Sequence, residues 1–535
     1  MAIAEDKLSY LYTLQLKPTL VVMIRGLFLL LFFFRIFSSD VHAQFTDRYW
    51  AFGDSAAINF KNLSNPQPAN SILRVRGTCA SICDSTGDLL FYCGSPYVYQ
   101  WNTVPTFNYT YGHVINKNHQ LMEKGDSIVG LLWYQEMVII PDPGNNNRFY
   151  IFCAGVTQPV VGLYYTIVDL SYNNGLGKVI QKNVQIRNDT LCDGITAVRH
   201  GNGRDWWVVV RSWKDVPTND ITAYLVSPNG VIAYPTQYIG TLTWLDSAVR
   251  LKFNNDGSHL YNVSIKGVID RFDFDRCTGI FSNQVNYLVP GGPYLGLWGF
   301  EVSPDESKLY TSLIYQTFNQ DTGYILQFDL NASNFLASAD TLGVYLSPDT
   351  PGLLELGPNG KIYVSINWSG PDTCYNYLYC YGTVNTTNSN LSVINYPDSA
   401  GASCNYQPFS FNLGGHKTYV GLPNNHNYEL DTLQGSPCDT LTSVGLLDLF
   451  PKNKDLKLYF DKSWQTIFVN AEELHGRQAT LEFYNVNGQL IDRISAGTDG
   501  SYFSKSSSFS FQPDGVYIVR LSTEKEVLTG RFVKW

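Results

Sequence analysis

Leu251-Lys252-Phe253-Asn254-Asn255-Asp256-Gly257-Ser258-His259-Leu260-Tyr261 reads as strand, tight turn, strand. Asn255-Asp256-Gly257 supplies the turn, because glycine takes the positive φ that a side chain resists. The phrase returns as Phe300-Glu301-Val302-Ser303-Pro304-Asp305-Glu306-Ser307-Lys308-Leu309-Tyr310 and as Leu354-Glu355-Leu356-Gly357-Pro358-Asn359-Gly360-Lys361-Ile362-Tyr363. Three earlier versions turn at Asp84–Asp88, at Asp142–Gly144 and at Gly201–Gly203. Turn glycines from Gly87 to Gly360 recur every 50 to 60 residues or so, a period that belongs to solenoids and propellers.

A second phrase falls between the first ones. Tyr165–Leu170 leads to Gly175-Leu176-Gly177, Phe272–Asp275 to Thr278-Gly279, and Leu326–Leu330 to Asn331-Ala332-Ser333, with Tyr224–Val231 a shorter version. Each unit therefore holds two hairpins, or about four strands, and no stretch between them keeps a helical period. Four-stranded units that repeat bury their faces against one another, and a closed ring leaves no exposed sheet edge. The expectation is an all-β chain: a seven-bladed β-propeller, with six or eight blades as alternatives, followed by a small C-terminal β-sandwich. Six blades are visible between about residues 71 and 400. Trp50–Phe60 and Cys404–Pro423 are expected to join as the seventh.

The totals agree. A chain of 535 residues with 14 % aromatic and only 16 % charged residues is β-rich and far from the disordered class. The net charge of −9, with no long Lys/Arg run, excludes a nucleic-acid partner. The first segment reads as a targeting signal. Met23-Ile24-Arg25 precedes the apolar run Gly26–Phe34, and Val41-His42-Ala43 places small residues at a cut before Gln44. The run is interrupted by Arg35 and is shorter than the roughly 20 residues that span a bilayer, so no transmembrane span is expected in the mature chain. Residues 1–43 are thus an N-terminal extension and signal peptide with translation expected from Met23. Residues 44–432 are the propeller, 433–448 a polar linker, and 449–535 the C-terminal domain.

Trp50-x-Phe52-Gly53, Asp84-x-x-Gly87-x-Leu89-Leu90-Phe91-Tyr92, Asp205-Trp206-Trp207, Gly357–Tyr363, Ala402–Tyr406 and Gly421–Asn424 resemble a group of secreted propeller proteins of Bacteroidetes. That resemblance covers roughly residues 46–430 and implies fold rather than activity. In the C-terminal domain, Ala479–Tyr484 alternates into Asn485-Val486-Asn487-Gly488 and a second strand. Gly515-Val516-Tyr517 enters another, and Gly530–Trp535 ends the chain with Arg531 and Lys534. Short alternating strands over such a length make a small sandwich. Leu481–Leu490, the Gly515 turn and the basic last strand resemble the type A C-terminal sorting domain of the type IX secretion system. The Pro-Asn-Pro opening of that family is reduced here to Phe450-Pro451-Lys452-Asn453. The resemblance implies the type IX machinery as a partner and a secreted or outer-membrane surface destination.

Chemistry is sparse. Asp270, Asp273 and Asp275 lack the glycine and closing Glu of a calcium loop, and carboxylates recurring once per repeat, such as Asp169 and Asp329, cap turns. His113 and His119 have no zinc spacing, His200 sits in a turn, and no Gly-x-Ser-x-Gly elbow occurs. No cofactor and no metal are expected. Cys374 and Cys380 bracket a short loop suited to a disulfide, and Cys93 is the better partner for Cys79 or Cys83 across one hairpin. Among Trp206, Trp207, Trp213, Trp244, Trp298 and Trp368, Trp207 shares the phase of Tyr261 and Tyr363 and is expected between blades. Trp368 is the best surface aromatic. Aligned turns place Lys252, Glu301 and Glu355 at one position of successive units, with Val198 before them. These three are the candidate channel residues, expected to pair across blades or to meet a ligand. The leading functional expectation is a binding or adhesion module for an unknown glycan or protein ligand. The alternative is an extracellular enzyme, a lyase, lactonase-like or glycan-active hydrolase, with its site at the channel mouth.

Overall fold

Residues 46–96, 112–130, 133–157, 160–214, 216–243, 249–289, 295–315, 321–368, 384–439, 456–461, 465–471, 478–485, 489–497, 503–523 and 527–534 are described in the computed structural model. They form eight antiparallel sheets, six in a first compact unit that ends at Thr442 and two in a second unit from Ser443.

The repeated phrase becomes the first hairpin of the second to sixth sheets and joins the third and fourth strands of the first. The fourth sheet runs Val249–Phe253, His259–Ser264, Val268–Asp275 and Ile280–Leu288, each strand paired with the next. The second sheet starts at Met137–Pro141, the third at Leu191–Arg199, the fifth at Leu295–Val302 and the sixth at Asp349–Leu356. The first has five strands: Tyr49–Phe52, Asp54–Asn59, the long Gln67–Cys83, Leu89–Pro96 and His113–Asn116. Gln67–Cys83 pairs with Asp54–Asn59 through its first half and with Leu89–Pro96 through its second. The register confirms the alignment of the phrases. Opposite Val198, Lys252, Glu301 and Glu355 stand Trp207, Tyr261, Tyr310 and Tyr363. Ser81 and Ile140 face Tyr92 and Tyr150 in the same way.

Those aromatics fill the spaces between sheets, and the apolar clusters run in a circle. One joins the first three sheets through Ile82, Ile139 and Ala197. Further clusters join the third to the fourth through Val209 and Leu251, and the fourth to the fifth through Tyr261 and Leu297. The fifth meets the sixth through Tyr310 and Leu354. The circle closes where Leu353 and Tyr363 of the sixth sheet share a cluster with Trp50 and Val75 of the first. A circle of meanders whose first strands face the centre is a β-propeller. The ends expected to join do meet, with the Asp54 amide donating to the Lys417 carbonyl at 2.8 Å. The junction is a bridge and not a ladder.

The segment that follows Lys417 enters the centre of the ring. The Leu353 amide donates to Val420 O, Gly421 N donates to Arg76 O, and Asn424 N donates to Cys79 O. The Asn424 amide group donates to both Met137 O and Ile195 O, at 3.0 and 2.8 Å. Tyr428 donates to Ile139 O at 2.9 Å. One extended stretch therefore takes the Leu353 amide of the sixth sheet and donates to inward carbonyls on Gln67–Cys83 of the first sheet and on the first strands of the second and third. It passes the first sheet so closely that a Cβ on Gly421 would lie 2.2 Å from the Gly77 Cα. Beyond it, Leu433 N donates to Gly201 O, and Cys438 forms a disulfide with Cys277. The polar stretch around Gln434–Asp439 is thus tied to the turn after Asp275.

The other cysteines correct an expectation. Cys79, Cys83 and Cys93 are buried free thiols, as are Cys153, Cys192 and Cys404. Cys93 lies opposite Ala80 and shares its face, so strand alternation turns it away from Cys79. A register shift between Ile82 and Cys83 sets Cys83 opposite Leu89 instead. Cys374 and Cys380 lie outside the described residues, as do residues 1–43 and the start of the C-terminal domain.

In the second unit, Leu456–Asp461, Thr466–Ala471 and Phe503–Ser508 make one sheet. Gln478–Asn485, Leu490–Gly497, Gly515–Thr523 and Val527–Lys534 make the other. Ile467 and Val469 from the first meet Leu481, Phe483, Val519 and Leu521 from the second in one cluster. Among the described residues no helix is long and apolar enough to cross a membrane.

Candidate functional site at the channel mouth

The C-terminal ends of the first strands converge around a cavity of about 190 Å³. Val198, Lys252, Glu301 and Glu355 all line it, brought together by their shared position in successive sheets. Lys252 Nζ lies 2.5 Å from Glu301 Oε2 and 2.8 Å from Glu355 Oε1. Glu301 also accepts from the Leu356 amide at 2.7 Å and, through Oε1, from the Val302 amide at 2.9 Å. Burial by itself would lower the Lys252 pKa, but the two carboxylates outweigh it and hold the ammonium form. Burial pushes the Glu355 carboxyl well above its ordinary range against the attraction of Lys252, and the Glu301 charge pushes the same way.

Four residues that the repeat does not mark complete the floor. Asp47 is buried beneath the mouth, its Oδ1 accepting from Trp50 Nε1 at 2.8 Å and from the Asn425 amide. Burial raises its pKa to about 8, a rise that those donors and Lys252 only partly oppose, so its protonated form is populated at neutral pH. Asn425, His426 and Asn427 come from the central segment. Burial, then the nearby Arg199 and Lys252 charges, push His426 down to about 3, so its imidazole is neutral. Both its ring nitrogens and the Asn425 Oδ1 are buried without a hydrogen-bond partner. These residues escape a repeat-based reading because they lie outside the repeats. The signal within reach was Pro423-Asn424-Asn425-His426-Asn427-Tyr428, a polar run with no strand alternation where the repeats stop.

The remaining candidates fall elsewhere. Trp368 is half-buried and pairs with Asp349, whereas Glu355 pairs with Tyr363, so Trp368 lies at the opposite end of that hairpin from the mouth. Trp207 is fully buried between the third and fourth sheets, edge-on to Tyr234 and Phe274, and donates to Arg276 O. Asp270 accepts from Thr241, Gln284 and Asn286, while Asp169, Asp275 and Asp329 each accept the backbone amide two residues on, as turn caps do. His200 accepts from Asn202 N within its own turn.

No family model matches the chain, and no curated protein matches it. Solved structures with a similar arrangement include a provisional 6-phosphogluconolactonase of Bacteroides fragilis. It is 13% identical, with a TM-score of 0.39, 70% of this chain covered and 96% of that one. The periplasmic gluconolactonase of Pseudomonas aeruginosa is 12% identical, with a TM-score of 0.32, 74% and 94% covered. The Cps50 (Swd1) β-propeller domain of Myceliophteria thermophila is 10% identical, with a TM-score of 0.30, 59% and 92% covered. At these values the likeness adds nothing to what the sheet order states about the fold.

Proposed function

We propose that this protein is an exported binding module whose ligand, a glycan or protein, is taken at the channel mouth. The observation that carries the reading is the filled centre. The chain's own segment from Gly421 to Leu430 occupies the channel and floors a small cavity there. The charges there are paired with one another: Lys252 is held by two carboxylates and is not presented as a free cation. We read the five-stranded first sheet as two blades sharing one bent strand, which makes seven, and the second unit as a β-sandwich. Residues 23–43 and the strands from Ala479 to Lys534 support export, with the second unit directing type IX secretion to the medium or the cell surface. Asp47 and the neutral His426 favour a second reading, an extracellular enzyme with acid–base groups at the same mouth. The full chain applied to a glycan array, to a panel of matrix proteins and to a hydrolase and lyase panel tests both. Binding without turnover is the expected result. Turnover lost in Asp47→Asn would replace the binding reading by the enzymatic one. N-terminal sequencing of exported protein, expected to begin at Gln44, tests the export signal.

A further inference from the structure

The cavity combines apolar walls with unpaired, uncharged hydrogen-bonding groups, and this combination selects a ligand class. Val198, Phe253, Val302, Leu356 and Leu430 supply the apolar lining. On the floor, Asn425 Oδ1 is an acceptor without a donor, and the two nitrogens of His426 are one donor and one acceptor without partners. Buried polar atoms left so are costly, and a ligand that pairs them recovers that cost. The charged residues are already committed. Glu301 accepts from Lys252 and from two backbone amides, and Lys252 contacts both Glu301 and Glu355. An anionic ligand would meet two acidic side chains around one shared ammonium, and a cationic ligand would meet Lys252. The raised Asp47 and Glu355 and the depressed His426 agree with a floor that carries little net charge at neutral pH. The volume of about 190 Å³ is below the roughly 300 Å³ at which pockets begin to take drug-sized ligands.

We infer that the channel mouth binds an uncharged, polyhydroxylated ligand of single-ring size, a neutral monosaccharide or the terminal neutral sugar of a glycan. Its hydroxyls, each donor and acceptor, pair with Asn425 and His426, and its C–H face lies on the apolar wall. The inference deepens the binding reading proposed above and rests on it.

The test titrates the full chain with methyl glycosides of glucose, galactose, mannose and N-acetylglucosamine. In parallel it uses glucuronate, N-acetylneuraminate, glucose 6-phosphate and glucosamine. Calorimetry and saturation-transfer NMR report binding. At least one neutral glycoside is expected to bind at least tenfold more tightly than every charged sugar. Asn425→Asp and His426→Phe are expected to weaken it tenfold or more, and Trp368→Ala to leave it unchanged. Asn255→Trp changes an exposed residue of the rim, blocks the mouth without touching the core, and is expected to abolish binding even if the floor variants fail to fold. Equal or tighter binding of a charged sugar overturns the ligand class, and neutral-sugar binding that survives Asn255→Trp overturns the site. If no sugar binds while a matrix protein does, this inference fails and the binding reading stands. Turnover of the glycosides sinks the binding reading itself.

Discussion

Lys252 holds two carboxylates that have little other reason to be buried. Its side chain is 15% exposed, and those of Glu301 and Glu355 are 3% and 7% exposed. In Lys252→Met both carboxylates stay in the mouth without a counter-charge. Removing one partner from a buried ion pair costs about 3–5 kcal/mol, whereas a solvent-exposed pair is worth about 0–1 kcal/mol. The expected loss is therefore about 3–5 kcal/mol in the first unit, followed by calorimetry of the full chain so that the two units' transitions are seen separately. The loss should depend on pH. Glu355, already raised by burial and by the Glu301 charge, titrates higher still in the folded chain than in the unfolded chain once Lys252 is gone. The variant is then least penalised near and below the ordinary Glu pKa, about 4.3, and the penalty grows as pH rises above it. Lys252→Met should thus be closer to wild type at pH 5 than at pH 8. The triple variant Lys252→Met, Glu301→Gln, Glu355→Gln removes all three charges and should regain most of the stability, since a buried ionic group replaced as a whole is often near neutral in cost. A loss below about 1 kcal/mol for Lys252→Met, or a triple variant no more stable than the single one, would refute the reasoning.

Asp47, raised to about 8, stabilises the fold fully below its unfolded value near 3.8, and that contribution drains away as pH rises toward 8. Asp47→Asn should remove a stability slope of up to about 4 kcal/mol between pH 5 and pH 8, read by denaturant unfolding at both pH values; parallel wild-type and variant slopes would contradict the buried, protonated carboxyl. Asn424→Ala deprives Met137 O and Ile195 O of their shared donor and should cost about 2–4 kcal/mol, with faster hydrogen exchange in the first strands of the second and third sheets. Cys277 and Cys438 are 161 residues apart, so Cys438→Ser should cost up to about 5 kcal/mol by loop entropy. Peptide mapping under non-reducing conditions should show that bridge, with Cys79, Cys93 and Cys153 unreactive toward thiol reagents until the chain unfolds.

Repetition made much of this protein legible from residues in order. Alternating apolar residues and glycine turns dictate hairpins locally, and six copies at one spacing leave few ways to bury their faces other than a ring. The same phase brought Lys252, Glu301 and Glu355 into one set, because a residue at a matched position of successive sheets must approach its counterparts at the centre. What lay outside the repeats carried no such signal. Asp47, Asn425 and His426 reach the mouth through contacts between residues hundreds of positions apart, such as the Asn425–Asp47 hydrogen bond. No local propensity encodes that meeting. Cys277 and Cys438 likewise depend on the path of the central segment after it leaves the ring, and Cys93 was misread because proximity in a hairpin does not say which face a thiol occupies. Local chemistry and periodicity determined the elements and their order; long-range closure decided what fills the channel, and so which groups are left unpaired to meet a ligand.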